Sequence, residues 1–218
     1  SQTFVTNSKY EYSYDGNLTL YITYNWDSES QTFVPNYKYE YSYDENGNQT
    51  LYIRYSWDSE SQTFVPNYKY EYSYDENGNQ TLEIGYNESF VPNYKKEYSY
   101  DENGNQTLFI VYNWSSFFSS FVPNYKYEYF YDENNFKTNE TVYTWNQVSS
   151  NYKPLTKMDI STLSETDTKL ITEGIIYEYD TNSNTWNELE GEEFKSYWYY
   201  TKDSSLSTNS VELNSFSI

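Results

Sequence analysis

The sequence predicts an all-β protein: an antiparallel β-meander or spiral of tandem hairpin repeats with a divergent C-terminal β cap. Three observations carry that prediction. A Tyr-Asp pair followed by an Asn/Gly corner recurs along the chain, with its Asp at Asp15, Asp44, Asp75, Asp101 and Asp132, 26 to 31 residues apart. Self-similarity at such a period marks units that stack to bury what each cannot bury alone. Around the corners the chain alternates, as in Tyr37-Lys-Tyr39-Glu-Tyr41-Ser-Tyr43 and Leu51-Tyr-Ile53-Arg-Tyr55-Ser-Trp57, and period-2 alternation is the mark of half-buried strands. Finally, 31 Tyr, 12 Phe and 6 Trp bring the aromatic fraction to 22% in a chain that is only 36% hydrophobic. Rings favour strands, and disordered chains lack them.

The corner between the two strands of a repeat is settled by parity. A two-residue Asn46-Gly47 turn sets Tyr43 against Thr50 and puts the Tyr stripe and the Leu/Ile stripe on opposite faces. A three-residue Glu45-Asn46-Gly47 loop pairs Asp44 with Asn48 and Tyr41 with Leu51, so both stripes share one face. Such a loop is a type I turn closed by a left-handed residue, and Gly47 stands where that residue is needed. The three-residue loop is therefore expected. In the fifth repeat Asn135 replaces the Gly, and Asn is the next most tolerant left-handed residue.

Connectors are rich in Asp, Ser and Glu, as over 58–62, and lead into Phe-Val-Pro-Asn at Phe33, Phe64, Phe90 and Phe121. Proline cannot donate to a ladder, so pairing is expected to be interrupted around Pro35, Pro66, Pro92 and Pro123. The five repeats span residues 1–148. Residues 149–170 break the pattern, a divergent hairpin follows from Ile175, and 149–203 is read as a β-rich cap that protects the end of the array. Residues 204–218 form a polar tail. Ser1 begins inside a repeat, which suggests a processed or trimmed chain.

The chain has 33 acidic and 13 basic residues, a net charge of −20, and neither His nor Cys. Phosphate recognition needs a basic surface, which argues against nucleic acid as a partner. Disulfides, thiolate or imidazole metal sites and every His- or Cys-dependent triad are excluded. No apolar run approaches the length of a membrane span. Glu40, Glu71, Glu97 and Glu128 recur beside Lys38, Lys69, Lys95 and Lys126, opposite the Tyr stripe. A catalytic carboxylate pair should be unique, so this recurrence suits a solvated polar ladder with cross-strand charge pairs and a non-enzymatic protein.

Two sets of side chains are candidate sites. Asp44, Asn46 and Asn48, with Asp75, Asn77, Asn79 and Asp101, Asn103, Asn105, offer oxygens at alternate positions, as calcium loops do. They lack the downstream bidentate Glu. Turn chemistry is the preferred reading and weak calcium binding the alternative; no cofactor is expected otherwise. Tyr21 and Tyr52, read as lying on the polar face of the second strand, and Trp198 in the cap are candidate binding residues.

The Tyr43-Asp44 and Gly47-Asn48 core, repeated across 1–148, resembles the YD repeat of RHS-type proteins, with Asn135 as a departure. That resemblance implies hairpins with a tendency to spiral. The longer period, with Trp and Phe-Val-Pro-Asn in the connector, resembles repeat proteins that gram-negative bacteria display through type IX secretion. Asn214-Ser-Phe-Ser-Ile218 is similar to the residues that precede type IX C-terminal sorting domains. The resemblance implies a secreted or bacterial cell-surface protein that acts as a structural, adhesive or protein-binding element. Alternatives are an accessory subunit of an outer-membrane complex and a carbohydrate-binding module. The expected partner is thus a cell-surface or outer-membrane protein, or an extracellular glycan.

Overall fold

The computed structural model describes residues 7–165 and 169–199, and side chains within 7–161 and 174–189. All regular structure among them is β. The strands are β1 (Ser8–Asp15), β2 (Asn17–Asp27), β3 (Thr32–Tyr43), β4 (Gln49–Asp58), β5 (Thr63–Tyr74), β6 (Gln80–Tyr86), β7 (Pro92–Tyr100), β8 (Gln106–Ser115), β9 (Ser120–Tyr131), β10 (Lys137–Asn146), β11 (Asn151–Glu165), β12 (Lys169–Asp180) and β13 (Thr185–Tyr199). They form one sheet whose spatial order is the sequence order. No helix is long and apolar enough to cross a membrane, a statement about helices and not about strands. By internal packing the chain divides into two bodies, Ser1–Tyr98 with Val111–Pro123, and Ser99–Ile110 with Asn124–Ile218.

The corners form as expected. Asp44 N–H donates to Asn48 O at 2.9 Å, Gly47 N–H donates to Asp44 O at 3.1 Å, and Gly47 has φ +86°. Asn135 takes the same left-handed position with φ +65°.

The expected register does not form. Tyr43 pairs with Gln49 but Ser42 pairs with Leu51, so Thr50 is an extra residue and Tyr41 lies opposite Tyr52 rather than Leu51. This β-bulge recurs at Thr19, Thr81 and Thr138. Threonine suits it because its hydroxyl can reach a carbonyl across the hairpin, as Thr19 does to Ser13 O at 3.2 Å and Thr138 to Phe130 O at 3.2 Å. One extra residue flips every side chain beyond it. The Leu/Ile stripe therefore leaves the tyrosine face and joins the Lys/Glu face.

A second bulge restores the phase. Arg54 pairs with Tyr68 and Tyr55 with Pro66, which leaves Asn67 extra; Asn36 and Asn93 do the same in their repeats. The prolines thus mark bulges within the pairing. β3, β5 and β9 run through Pro35, Pro66 and Pro123, and β7 begins at Pro92.

In the first body, one face carries Tyr37, Tyr39, Tyr41, Tyr52, Arg54, Tyr68 and Tyr70. The other sets Lys38, Glu40 and Ser42 against Tyr55, Ile53 and Leu51. The Lys/Glu ladder is therefore half-buried among apolar side chains, not a solvated polar face. Among the described residues Ile53 is the buried hydrophobic one, 9% exposed. In the second body Thr141 holds the equivalent position and is 7% exposed.

The second body also contains a sixth repeat, over 151–180, where the sequence suggested a break. Tyr143 pairs with Pro154 and Val142 with Thr156, so Leu155 bulges as Asn67 does. Lys157 pairs with Asp159 at 2.7 Å and stands 4.5 Å from the Tyr177 ring centroid. The edge-to-face clasp of Trp57 on Phe64, 5.1 Å between centroids, returns as Trp145 on Tyr152 and Tyr179 on Trp186, both at 5.0 Å. Residues 204–218, read as a tail, lie outside the described residues.

Candidate functional site

The tyrosine face of the first body is the candidate site. Its rings form a ladder across the strands. Tyr12 stacks on Tyr21 at 5.0 Å, Tyr21 on Tyr39 at 5.3 Å, Tyr39 on Tyr52 at 6.3 Å and Tyr52 on Tyr70 at 6.1 Å, with interplanar angles of 2° to 18°. Alternation along each strand and direct pairing between strands bring these rings to one surface. Ring faces are largely taken up by neighbouring rings. Burial pushes the Tyr52 hydroxyl pKa up, with the Tyr68 hydroxyl adding to it.

Tyr21 and Tyr52 are therefore members of the tyrosine stripe. Their expected place on an opposite, polar face is corrected by the Thr19 and Thr50 bulges. Trp198 lies on β13 opposite Leu170; its side chain falls outside the described residues.

Arg54 is the sole arginine of the chain. Its guanidinium carbon lies 4.3 Å from the Tyr37 ring centroid and 5.8 Å from that of Tyr68. Burial would lower its pKa, but the Tyr68 hydroxyl and neighbouring tyrosines raise it overall.

The third repeat interrupts the ladder. Glu83 stands where the earlier repeats have Tyr21 and Tyr52. It accepts from the Tyr94 hydroxyl at 2.6 Å and from Lys96 Nζ at 2.9 Å. Burial raises the Glu83 pKa, yet the Tyr94 and Lys96 bonds outweigh it and hold the carboxyl below its ordinary range. The Tyr94 ring lies over Gly85, where a Cβ would sit 2.5 Å from it. Sequence reading missed this cluster, although Lys96 breaks the Tyr-Lys-Tyr alternation and Glu83 breaks the Leu-aromatic-Ile pattern.

On the opposite face each repeat builds the same trio. Lys38 Nζ meets Glu40 at 2.8 Å and lies 3.9 Å from the Tyr55 ring centroid, while the Tyr55 hydroxyl donates to Glu40 at 2.7 Å. Lys69, Glu71 and Tyr86 repeat it, as do Lys95, Glu97 and Tyr112, and, in the second body, Lys126, Glu128 and Tyr143.

At the corners the Asp carboxylates serve the turn. Asp44 Oδ1 accepts the backbone N–H groups of Asn46 at 3.0 Å and Asn48 at 2.8 Å, and Oδ2 accepts Asn48 Nδ2 at 3.0 Å. Asp75 with Asn77 and Asn79, and Asp101 with Asn103 and Asn105, copy this geometry. These bonds, Asn48's first, lower the Asp44 pKa. Asn48 and Asn79 turn their amide nitrogens to the aspartate, which is turn chemistry.

No family model matches the chain, and no curated protein matches it. Among solved structures, it is similar to two DUF3836 family proteins. That from Parabacteroides distasonis is 15% identical over 47% of this chain and 89% of its own, with a TM-score of 0.35. That from Bacteroides vulgatus is 16% identical over 46% and 97%, with a TM-score of 0.37. A chain of the TcdB2-TccC3-Cdc42 structure is 12% identical over 86% of this chain and 11% of its own, at 0.37. Scores this low carry no assignment.

Proposed function

We propose that the chain is a non-catalytic repeat protein that displays its tyrosine face to a protein partner at a bacterial cell surface. The observation that carries this reading is the asymmetry of the two faces in the first body. One face holds its charges in repeated Lys–Glu–Tyr trios. On the other, from β1 to β5, half-exposed tyrosines and Arg54 form a ladder. Tyrosine and arginine are enriched where protein interfaces concentrate binding energy, because a ring combines apolar area with a polar tip at little entropic cost. Mutual stacking favours a protein partner over a glycan, since a sugar ring needs a free aromatic face.

The non-catalytic reading rests on recurrence: the carboxylates of the strand trios have the same partners in each repeat. The cell-surface location rests on the resemblance to YD-repeat and type IX cargo proteins. A subunit of an outer-membrane complex is the specific form of this reading in which the partner is permanent. The corners are read as turns that require no metal.

The test is gentle isolation of the tagged chain from its source envelope, with wild type beside Tyr52→Ala and Tyr21→Ala. A stoichiometric protein that both variants lose supports the reading. A partner that both variants retain, or Tyr52-dependent retention on polysaccharide instead, overturns it.

A further inference from the structure

The sixth repeat builds its trio differently from the others. In the earlier ones the glutamate gives one oxygen to the lysine and the other to the tyrosine hydroxyl, as Glu40 does with Lys38 and Tyr55. Asp159 is one methylene shorter. Its Oδ2 meets Lys157 Nζ at 2.7 Å, and its Oδ1 accepts from Asn139 Nδ2 at 2.5 Å. The Asn139 side-chain carbonyl in turn accepts from the Thr141 hydroxyl at 3.0 Å.

Register brings these groups together. Asn139 pairs with Asp159 and Thr141 with Lys157, so all four side chains share one face of β10 and β11. Asn139 and Thr141 stand where earlier repeats have Leu20 and Ile22, or Leu51 and Ile53. Burial alone would favour the aliphatic pair, yet the buried Thr141 spends its hydroxyl on the Asn139 carbonyl. On β12, Lys157 faces Tyr177 and Asp159 faces Ile175; on β9, Asn139 faces Phe130 and Thr141 faces Glu128. Glu128 is already held by Lys126 and Tyr143, which leaves Asp159 as the carboxylate of Lys157.

A lysine, a carboxylate and a polarised carboxamide thus meet in one place, and acyl transfer to an amine needs that set. We propose that Lys157 and Asn139 join in an isopeptide bond that staples β11 to β10. Asp159 takes a proton from the Lys157 ammonium and frees the electron pair of Nζ. The flexible lysine stem carries Nζ to Cγ of Asn139. The Nζ–Cγ bond forms while the Thr141 hydroxyl meets the charge on Oδ1. Asp159 hands its proton to Nδ2, the Cγ–Nδ2 bond breaks, and the surplus proton on Nζ leaves with the departing ammonia as ammonium. Nothing is oxidised or reduced, and Asp159 ends as the carboxylate it began as. The reaction runs once, within the chain, and is independent of the partner proposed for the tyrosine face. It gives a chain without cysteine a covalent cross-link, in the repeat where Asn139 and Thr141 replace the aliphatic pair.

Intact-mass spectrometry of the full chain, folded and incubated at neutral pH, tests this. Wild type should be lighter than its sequence mass by one ammonia, and trypsin should release a branched peptide that joins Lys157 to Asn139. The Asn-Gly corners also lose ammonia when they cyclise, so the variants decide. Lys157→Arg keeps the charge pair but removes the nucleophile, and Asp159→Asn removes the proton carrier. Both should retain the full mass with unchanged circular dichroism, and Lys157→Arg should melt below wild type. A wild type at full mass, or a loss of ammonia that maps to the corners and survives in Lys157→Arg, would overturn the proposal.

Discussion

The Tyr55 hydroxyl donates to Glu40 Oε2 at 2.7 Å, while the ammonium of Lys38 lies 3.9 Å from the centre of the same ring and 2.8 Å from the same carboxylate. One ring thus joins two strands through two interactions, and the Lys38–Glu40 pair along β3 completes the trio. Removing the hydroxyl in Tyr55→Phe keeps the ring and the cation contact but leaves Glu40 with Lys38 alone. With the Glu40 side chain 36% exposed, the loss is about 1 kcal/mol, at the lower end for a bond to a charged group. Denaturant unfolding of the variant measures it, and Tyr112→Phe, in an equivalent trio, should cost a similar amount.

The same trios set the pH dependence. Burial raises the pKa of Glu40, Glu71, Glu97 and Glu128, but the lysine and tyrosine bonds lower it overall. A carboxyl lowered in the folded state stabilises above its unfolded pKa, and that stability is lost as pH falls through the folded value. Stability should therefore decline below about pH 4.3. Tyrosines move the opposite way: burial, then bonding to Glu11 and Glu128, pushes Tyr24 and Tyr143 up to about 12. Their stabilisation is complete below the unfolded pKa of about 10 and is lost as pH rises through the folded one. With no His or Cys, thermal stability should be flat between about pH 6 and 9. A melting-temperature profile that bends inside that window contradicts the assignment.

Gly85 is required by the ring above it. An alanine Cβ would meet Tyr94 Cε1 at 2.5 Å, and the ring is held by its bond to Glu83. Gly85→Ala should cost about 1–3 kcal/mol through overpacking. In the Tyr94→Ala background the same change should cost far less, and a double-mutant cycle reads the difference.

The connectors carry a different strain. Gln31 and Gln62 hold left-handed conformations at φ +56° and +54°. A side chain there is disfavoured by about 1–2 kcal/mol, partly offset by the entropy glycine loses on folding. Gln62→Gly should stabilise by about 0.5–1 kcal/mol, seen as a raised melting temperature.

Corners and strands were legible because each rests on residue type or alternation, whereas the Lys38–Glu40 pair runs along β3 where charge pairs across strands were expected. The register of the second strand was not legible. Gln49-Thr50-Leu51 reads equally well as plain ladder, and a single bulged residue reverses the faces. The available signal was Thr19, Thr50, Thr81, Thr107 and Thr138, a threonine at the start of the second strand of each repeat. The sixth repeat was hidden because Thr156, Met158 and Ile160 replace its tyrosines, although Lys157 and Asp159 keep the spacing of the trio. Tyr21 and Tyr52 were singled out as candidates, but the threonine bulges moved both into the stripe.

The two bulges per repeat place Tyr52 in the tyrosine ladder, and disulfide trapping tests that most directly in a chain without cysteine. Tyr41 and Tyr52 face each other on one side of the sheet, where neighbouring Cα atoms come within about 4.5–5.5 Å. The paired change Tyr41→Cys with Tyr52→Cys should oxidise readily, and Tyr41→Cys with Leu51→Cys should stay reduced. The reverse result would restore the unbulged register and remove the tyrosine face as described.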